Sequence, residues 1–172
     1  MKLVIASDVH GSAYYCKKLV DLISKEEPDR VVLLGDILYH GPRNDLPRDY
    51  SPKEVIAMLN PLADKLICVR GNCDTEVDQM VLDFDVLSDS AVIYDGEREL
   101  FLTHGHKYTP ENPPKLKKGA VLLTGHTHVS CVRDMGDFTY INPGSVSIPK
   151  ENTLRGGLIY EEGVFTSFCL ED

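Results

Sequence analysis

Five of the chain's six histidines, His10, His104, His106, His126 and His128, stand just beyond an apolar run. Asp8, Asp36 and Asn72 occupy the same kind of place. Imidazole nitrogens, carboxylates and an amide oxygen gathered at strand ends are a ligand set for divalent transition metals. The mixture suits Mn²⁺, Fe²⁺, Co²⁺, Ni²⁺ or Zn²⁺ better than Ca²⁺, which prefers oxygen alone. No cysteines are spaced for a structural zinc site. In Asp8-x-His10, residues two apart in an extended segment face the same way and can reach one cation. His126-x-His128 repeats that spacing and could give one imidazole to each of two ions. Asp36 is the bridge, because its two oxygens can each face a different ion. Asn72 adds a neutral carbonyl oxygen where carboxylates already supply negative charge.

These residues need elements that bring them together. Val31-Val32-Leu33-Leu34 is a strand buried on both faces, and Gly35-Asp36 leaves its carboxyl end. Leu3 to Ala6 and Leu66 to Val69 are two more such strands, closed by Ser7-Asp8-Val9-His10-Gly11 and by Arg70-Gly71-Asn72-Cys73-Asp74. Between them lie two helical patterns. From Ser12 onward Tyr15, Leu19, Leu22 and Ile23 share a face, and Pro28-Asp29 ends the helix. Ser51-Pro52-Lys53-Glu54 reads as a capping box opening a helix with Val55, Ile56, Leu59 and Leu62 on its apolar side. Strand, helix, strand, helix, strand is a doubly wound α/β pattern with parallel strands, and ligands bind such sheets at the strands' carboxyl ends. The segment from Ile37 to Tyr50 is a long surface loop in which Arg43 could hold a phosphate oxygen.

The second half is β-rich. Ala91 to Tyr94 and Leu100 to Thr103 flank a hairpin turn at Asp95-Gly96-Glu97-Arg98. Ala120 to Thr124, Phe138 to Ile141, Gly157 to Tyr160 and Val164 to Leu170 are further strands, with a short basic helical turn near Pro114 to Lys118. Lys115, Lys117 and Lys118 read as a solvated face, and Asn142-Pro143-Gly144-Ser145 as a tight turn supporting the rim. Two sheets packed face to face with helices outside would bury both halves. No repeat or linker interrupts the chain, so residues 1–172 are expected to form one domain.

A net charge of −9 argues against a broad nucleic-acid groove or an anionic membrane surface. It leaves room for a small phosphate-bearing substrate, since bound cations reverse the sign locally. The five cysteines are odd in number and without a C-x-x-C, a thiol pattern. The chain begins directly with a strand and has no long apolar run, so a cytoplasmic location is expected.

Asp8-Val9-His10-Gly11, Gly35-Asp36, Gly71-Asn72-Cys73-Asp74, His104-Gly105-His106 and Gly125-His126-Thr127-His128 resemble, in order, the five sequence blocks of the calcineurin-like metallophosphoesterases. Length, His40-Gly41-Pro42-Arg43-Asn44 and Asn142-Pro143-Gly144-Ser145-Val146-Ser147 are most similar to its small YfcE-type phosphodiesterases. The resemblance implies a double β-sandwich flanked by helices, a four-layer α/β/β/α fold. It implies one metal on Asp8, His10, Asp36 and His128, and a second on Asp36, Asn72, His104 and His126, with Mn²⁺ first among the candidates. A small phosphodiester would be hydrolysed by in-line attack of a hydroxide held between the ions. Many members carry histidine after Gly-Asn to protonate the leaving group, whereas this chain has Cys73, whose ordinary thiol pKa near 8.5 makes it a poor acid at neutral pH. His106, His40 or a metal-bound water are the alternatives for that step. Rival readings are a protein-binding scaffold of the same fold, a nuclease and a phosphomonoesterase; a homo-oligomer is also compatible with the β-rich half.

Overall fold

The computed structural model describes residues 1–171 as two five-stranded mixed sheets packed face to face. In the first sheet, β1 (Lys2–Ala6), β2 (Arg30–Leu33) and β3 (Leu66–Cys68) run parallel, and β9 (Gly156–Glu161) and β10 (Val164–Cys169) extend it antiparallel in the order β10-β9-β1-β2-β3. The second sheet holds β4 (Ser90–Asp95), β5 (Arg98–Thr103), β6 (Ala120–Leu123), β7 (Cys131–Asp134) and β8 (Phe138–Asn142) in the order β4-β5-β6-β8-β7. Within it β5, β6 and β8 are parallel.

Alternation along β1 and β2 explains the two cores. Val4, Ala6, Val31 and Leu33 face outward onto α1 (Ala13–Glu26) and α2 (Pro52–Leu59), where Leu19, Ile23, Val55 and Leu59 meet them. Leu3, Ile5, Val32 and Leu34 face inward onto Leu100, Leu102, Val121 and Leu123 of the second sheet. Each such side chain contributes about 1.5–3 kcal/mol on burial, which is why the strands read as unbroken apolar runs. The parallel β1, β2 and β3 and the face-to-face packing of two sheets agree with the sequence reading. The strands lie in sequential order, so both helices share one face, and the other face is taken by a sheet. No described helix is long and apolar enough to cross a membrane.

Three local expectations change. Ser51 precedes α2 without a side-chain cap bond, and its carbonyl instead accepts Glu54 and Val55 N–H groups at 3.0 and 3.1 Å. The segment Pro114 to Lys118 forms no helix; Pro113-Pro114 lack two donors, and so short a turn does not offset the cost of nucleation. All three of its lysines are exposed. Strand β7 carries little apolar signal because it is an edge strand, largely exposed and paired only with β8.

The two sheets set the carboxyl ends of β1, β2, β3, β5 and β6 along one rim, and the loops leaving those ends carry Asp8, Asp36, Asn72, His104 and His126.

Candidate metal centre

Beyond β1 the chain turns sharply. Asp8 and His10 have φ of 57° and 50°, the left-handed region, so the segment is not extended and the two-apart reasoning fails here. His126 and His128, at 68° and 61°, depart in the same way. The loop is instead held against the one after β2: Asp8 N–H donates to Gly35 O at 3.1 Å and His10 N–H to Asp36 O at 2.9 Å. Ser145 and Ser147 hydroxyls donate to Asp8 O at 2.8 and 3.1 Å. The Asp8 carboxylate is fixed through Oδ2, which accepts Ser7 Oγ at 2.6 Å and His126 N–H at 3.0 Å.

Its other oxygen faces a group of ring nitrogens. Asp8 Oδ1 is buried with no hydrogen-bond partner, 3.2 Å from His128 Nε2 and 3.5 Å from His10 Nε2. Both rings donate from Nδ1 to carbonyls, His10 to Tyr39 O and His128 to Ile148 O, each at 2.7 Å. Their Nε2 atoms stand 3.1 Å apart, so neutral rings turn lone pairs toward each other and toward a carboxylate. Only a cation or shared protons can make that arrangement favourable. The spacing is that of neighbouring ligands around one ion with bonds of about 2.0–2.2 Å.

A second group adjoins it. His104 Nδ1 donates to Leu34 O at 2.6 Å, and its Nε2 lies 3.1 Å from Asn72 Oδ1 and 3.4 Å from Asp36 Oδ2. The His126 ring is 5.0 Å from that of His104. Asp36 lies between the groups, but not with one oxygen for each. Its Oδ1 accepts Cys73 N–H at 2.8 Å, while Oδ2 alone faces both His104 and, at 3.7 Å, His10 Nε2.

The loops are welded by Asp74, whose role a lone loop carboxylate does not announce. Its buried carboxylate accepts the N–H groups of Asp36, Ile37 and Gly71 at 2.8, 2.9 and 2.7 Å, tying the turn after β2 to the turn after β3. Asn142 does the same for the second sheet, donating to Gly125 O at 2.7 Å. Asn142-Pro143-Gly144-Ser145 thus supports the rim, as its turn chemistry suggests. Ser7 was invisible as a positioning residue, since a serine before an aspartate carries no signal by itself.

The electrostatics follow from crowding. Burial alone would raise the Asp8 carboxyl, but His10, His128 and His104 overcome it and hold it well below the usual range. Burial likewise opposes charge on His104, yet Asp36 and Asp8 push it up to about 9. His10 is raised against its burial by Asp8, and Asp36 is lowered against its burial by His104. Without metal the cluster balances its carboxylates with protons. Burial, then His104, lowers His126; burial, His104 and Lys107 lower His106. Burial and the Asp36 carboxylate push the Cys73 thiol up to about 12, too high for either a thiolate ligand or an acid at neutral pH.

The remaining candidates sit around this core. The His106 ring is 5.5 Å from His104 and 6.3 Å from His126, with Nδ1 buried and unpartnered. His40 is edge-on to Tyr39 and Tyr50 at 4.8 and 5.2 Å, with Nδ1 buried and unpartnered. Arg43 borders a void of about 40 Å³ together with Asp36, Asn72, His126 and His128. Lys150, which sequence reasoning passed over, borders it too, and its N–H donates to His128 O at 3.0 Å.

Residues 1–162 match the family model of the calcineurin-like phosphoesterase superfamily domain. The chain is 43% identical over 172 residues to phosphodiesterase YfcE of Escherichia coli strain K12, covering all of this chain and 94% of that one. A solved structure of that E. coli phosphoesterase superposes with a TM-score of 0.95 over 98% of this chain and 93% of that one. Vps29 of Entamoeba histolytica, 21% identical, shares the fold with a TM-score of 0.62 over 94% of this chain and 86% of its own.

Proposed function

The chain belongs to the calcineurin-like phosphoesterase superfamily, and we propose that it is a phosphodiesterase working through two divalent ions held at the sheet rim. One observation carries the metal reading: Asp8 Oδ1, buried without a donor, faces two imidazole nitrogens whose protons are committed elsewhere. Asp8, His10, His128 and Asp36 would hold one ion, and Asp36, Asn72, His104 and His126 the other. Bound there, the ions would supply a nucleophilic water and neutralise charge on phosphorus in an in-line displacement. Mn²⁺ is our first candidate, with Ni²⁺, Co²⁺, Fe²⁺ and Zn²⁺ next.

The chain's own groups do the rest. Arg43 and Lys150 reach the void beside Asp36 and His128, where phosphate oxygens of a small diester would sit. They add positive charge to an acidic protein just where an anion must enter. His106, lowered by burial, is suited to accept a proton rather than donate one. With Cys73 also held protonated, and His10, His104, His126 and His128 given to the ions, neither Cys73 nor His106 is poised to protonate a departing alcohol, so diesters with acidic leaving groups should be favoured. The five cysteines are all unpaired, which suits a reducing cytoplasm.

The test is hydrolysis of bis(p-nitrophenyl) phosphate and its monoester by metal-stripped protein, with each metal returned separately. Diester cleavage restored by Mn²⁺ and lost in Asp36→Asn and His126→Ala supports the reading. Folded protein that binds two ions and cleaves neither ester would overturn it.

A further inference from the structure

On the outer face of the second sheet, a groove of about 500 Å³ runs from His106 and His126 to Tyr108, Tyr140 and Arg133. Of the proposed ligands and the residues around the phosphate void, only His126 also lines it. Resting on the phosphodiesterase reading, we infer that this groove binds one ester arm of the substrate, and that the arm is a neutral, planar aromatic group.

His126 borders both the void beside Asp36 and this groove, so an ester arm that leaves the void past His126 enters the groove. The walls select for flatness. Tyr108 is set edge-on to Phe101 at 6.2 Å, which fixes its ring beside the groove. Tyr140, buried beneath Arg133 with its hydroxyl engaged with Thr124 Oγ1 at 3.0 Å, forms the apolar floor. The Arg133 guanidinium lies 4.9 Å from the Tyr140 centroid, which adds a second flat group to the wall. Rings of this kind favour offset or edge-on contact with another aromatic ring.

Charge selects for neutrality. Arg133 is already paired with Glu111 at 3.0 Å, and Glu151 lines the groove without an ion pair among the described residues. With Glu111 and Glu151 against Arg133, the groove carries no net positive charge for an arm bearing a carboxylate or a second phosphate. Such an arm would meet Glu151 instead. A volume of about 500 Å³ exceeds what a methyl or glycerol arm would fill, and suits a ring system.

The experiment uses phosphonates, which share one head group and are not hydrolysed. Methylphosphonate, phenylphosphonate and 4-carboxyphenylphosphonate are titrated calorimetrically into the Mn²⁺-loaded full chain. Phenylphosphonate should bind about tenfold more tightly than methylphosphonate. The carboxylated analogue should lose most of that gain. In Tyr108→Ala and in Val129→Trp, which fills the groove, the phenyl preference should fall to within twofold; Tyr108→Phe, keeping the ring, should retain it. Methylphosphonate binding with no phenyl preference, or a preference that survives both groove variants, overturns the groove assignment alone. Failure of all three phosphonates to bind overturns the phosphodiesterase reading and the groove with it.

Discussion

Placing a methyl group on Gly71 tests whether the turn after β3 fixes Asp36. A Cβ there would sit 2.8 Å from Asp36 Cγ, and closer still to its Oδ1 and backbone nitrogen. Ordinary carbon contacts are about 3.5–4.0 Å, so the two loops must separate by about 1 Å. Neither can yield freely. Asp36 is held by Cys73 N–H on its carboxylate and by Asp74 on its backbone, and Asp74 also grips Gly71. Overpacking of this kind costs about 1–3 kcal/mol in stability. A displacement of about 1 Å at the shared carboxylate costs about 100-fold in kcat/KM. Gly71→Ala should therefore unfold at lower urea and lose two orders of magnitude in diester hydrolysis at saturating Mn²⁺. Gly96→Ala is the control: it lies at the β4–β5 hairpin tip with nothing within 4 Å of its Cβ position, and bears only the strain of a φ of 60°. It should lose stability without losing activity. A Gly71→Ala enzyme within threefold of the parent would refute the claim that this contact sets the position of Asp36.

Further outcomes follow from single contacts. Cys73→Ser should keep hydrolysis within about threefold, because a thiol pushed to about 12 is not the proton donor; a loss of 100-fold in kcat would restore Cys73 to the chemistry. Ser145→Ala removes the donor to Asp8 O and the acceptor of the Ile148 N–H at 2.9 Å. It should cost about 1–3 kcal/mol in urea unfolding, and a neutral result would show the segment to be slack. His104 is raised in the fold to about 9 from an ordinary value near 6.5. Its stabilisation is complete below pH 6.5 and lost as pH rises through 9, so chelator-treated protein should weaken across that window. With Mn²⁺ present the trend should reverse, because ligation needs the deprotonated ring. Metal-free stability that climbs from pH 6.5 to 9 would contradict the proton balance described above.

The sheets were legible because their signal is burial. Leu3 to Ala6 and Val31 to Leu34 are apolar at every position because each strand has a core on both sides. What apolar runs cannot convey is which element covers each face. Helix or sheet serves equally well for Leu3 and Ile5, so a doubly wound sheet and the observed sandwich look alike through the third strand. Strand β7 was lost for the opposite reason: an exposed edge strand needs no apolar alternation, and Cys131-Val132-Arg133-Asp134 has none. The candidate ligands were legible by type and by their place after strands. Their supports were not, since Ser7, Asp74 and Ser145 act by hydrogen bonds that any loop could contain.

The backbone of the site was the least legible part, and it explains why those supports exist. Asp8, His10, Asp36, His126 and His128 all have φ between 50° and 68°. In that region a side chain other than glycine costs roughly 1–2 kcal/mol per residue. The left-handed turns fold these side chains back over the strand ends, toward one another. Clustering acids against acids and lone pairs against lone pairs adds further cost. The fold offsets it locally, through Asp74 on three N–H groups and two serine hydroxyls on Asp8 O. Strain of this kind persists only where the surroundings over-determine it. A cluster of carboxylates and imidazoles assembled against such costs, and closed around a carboxylate oxygen with no donor, could hold a cation.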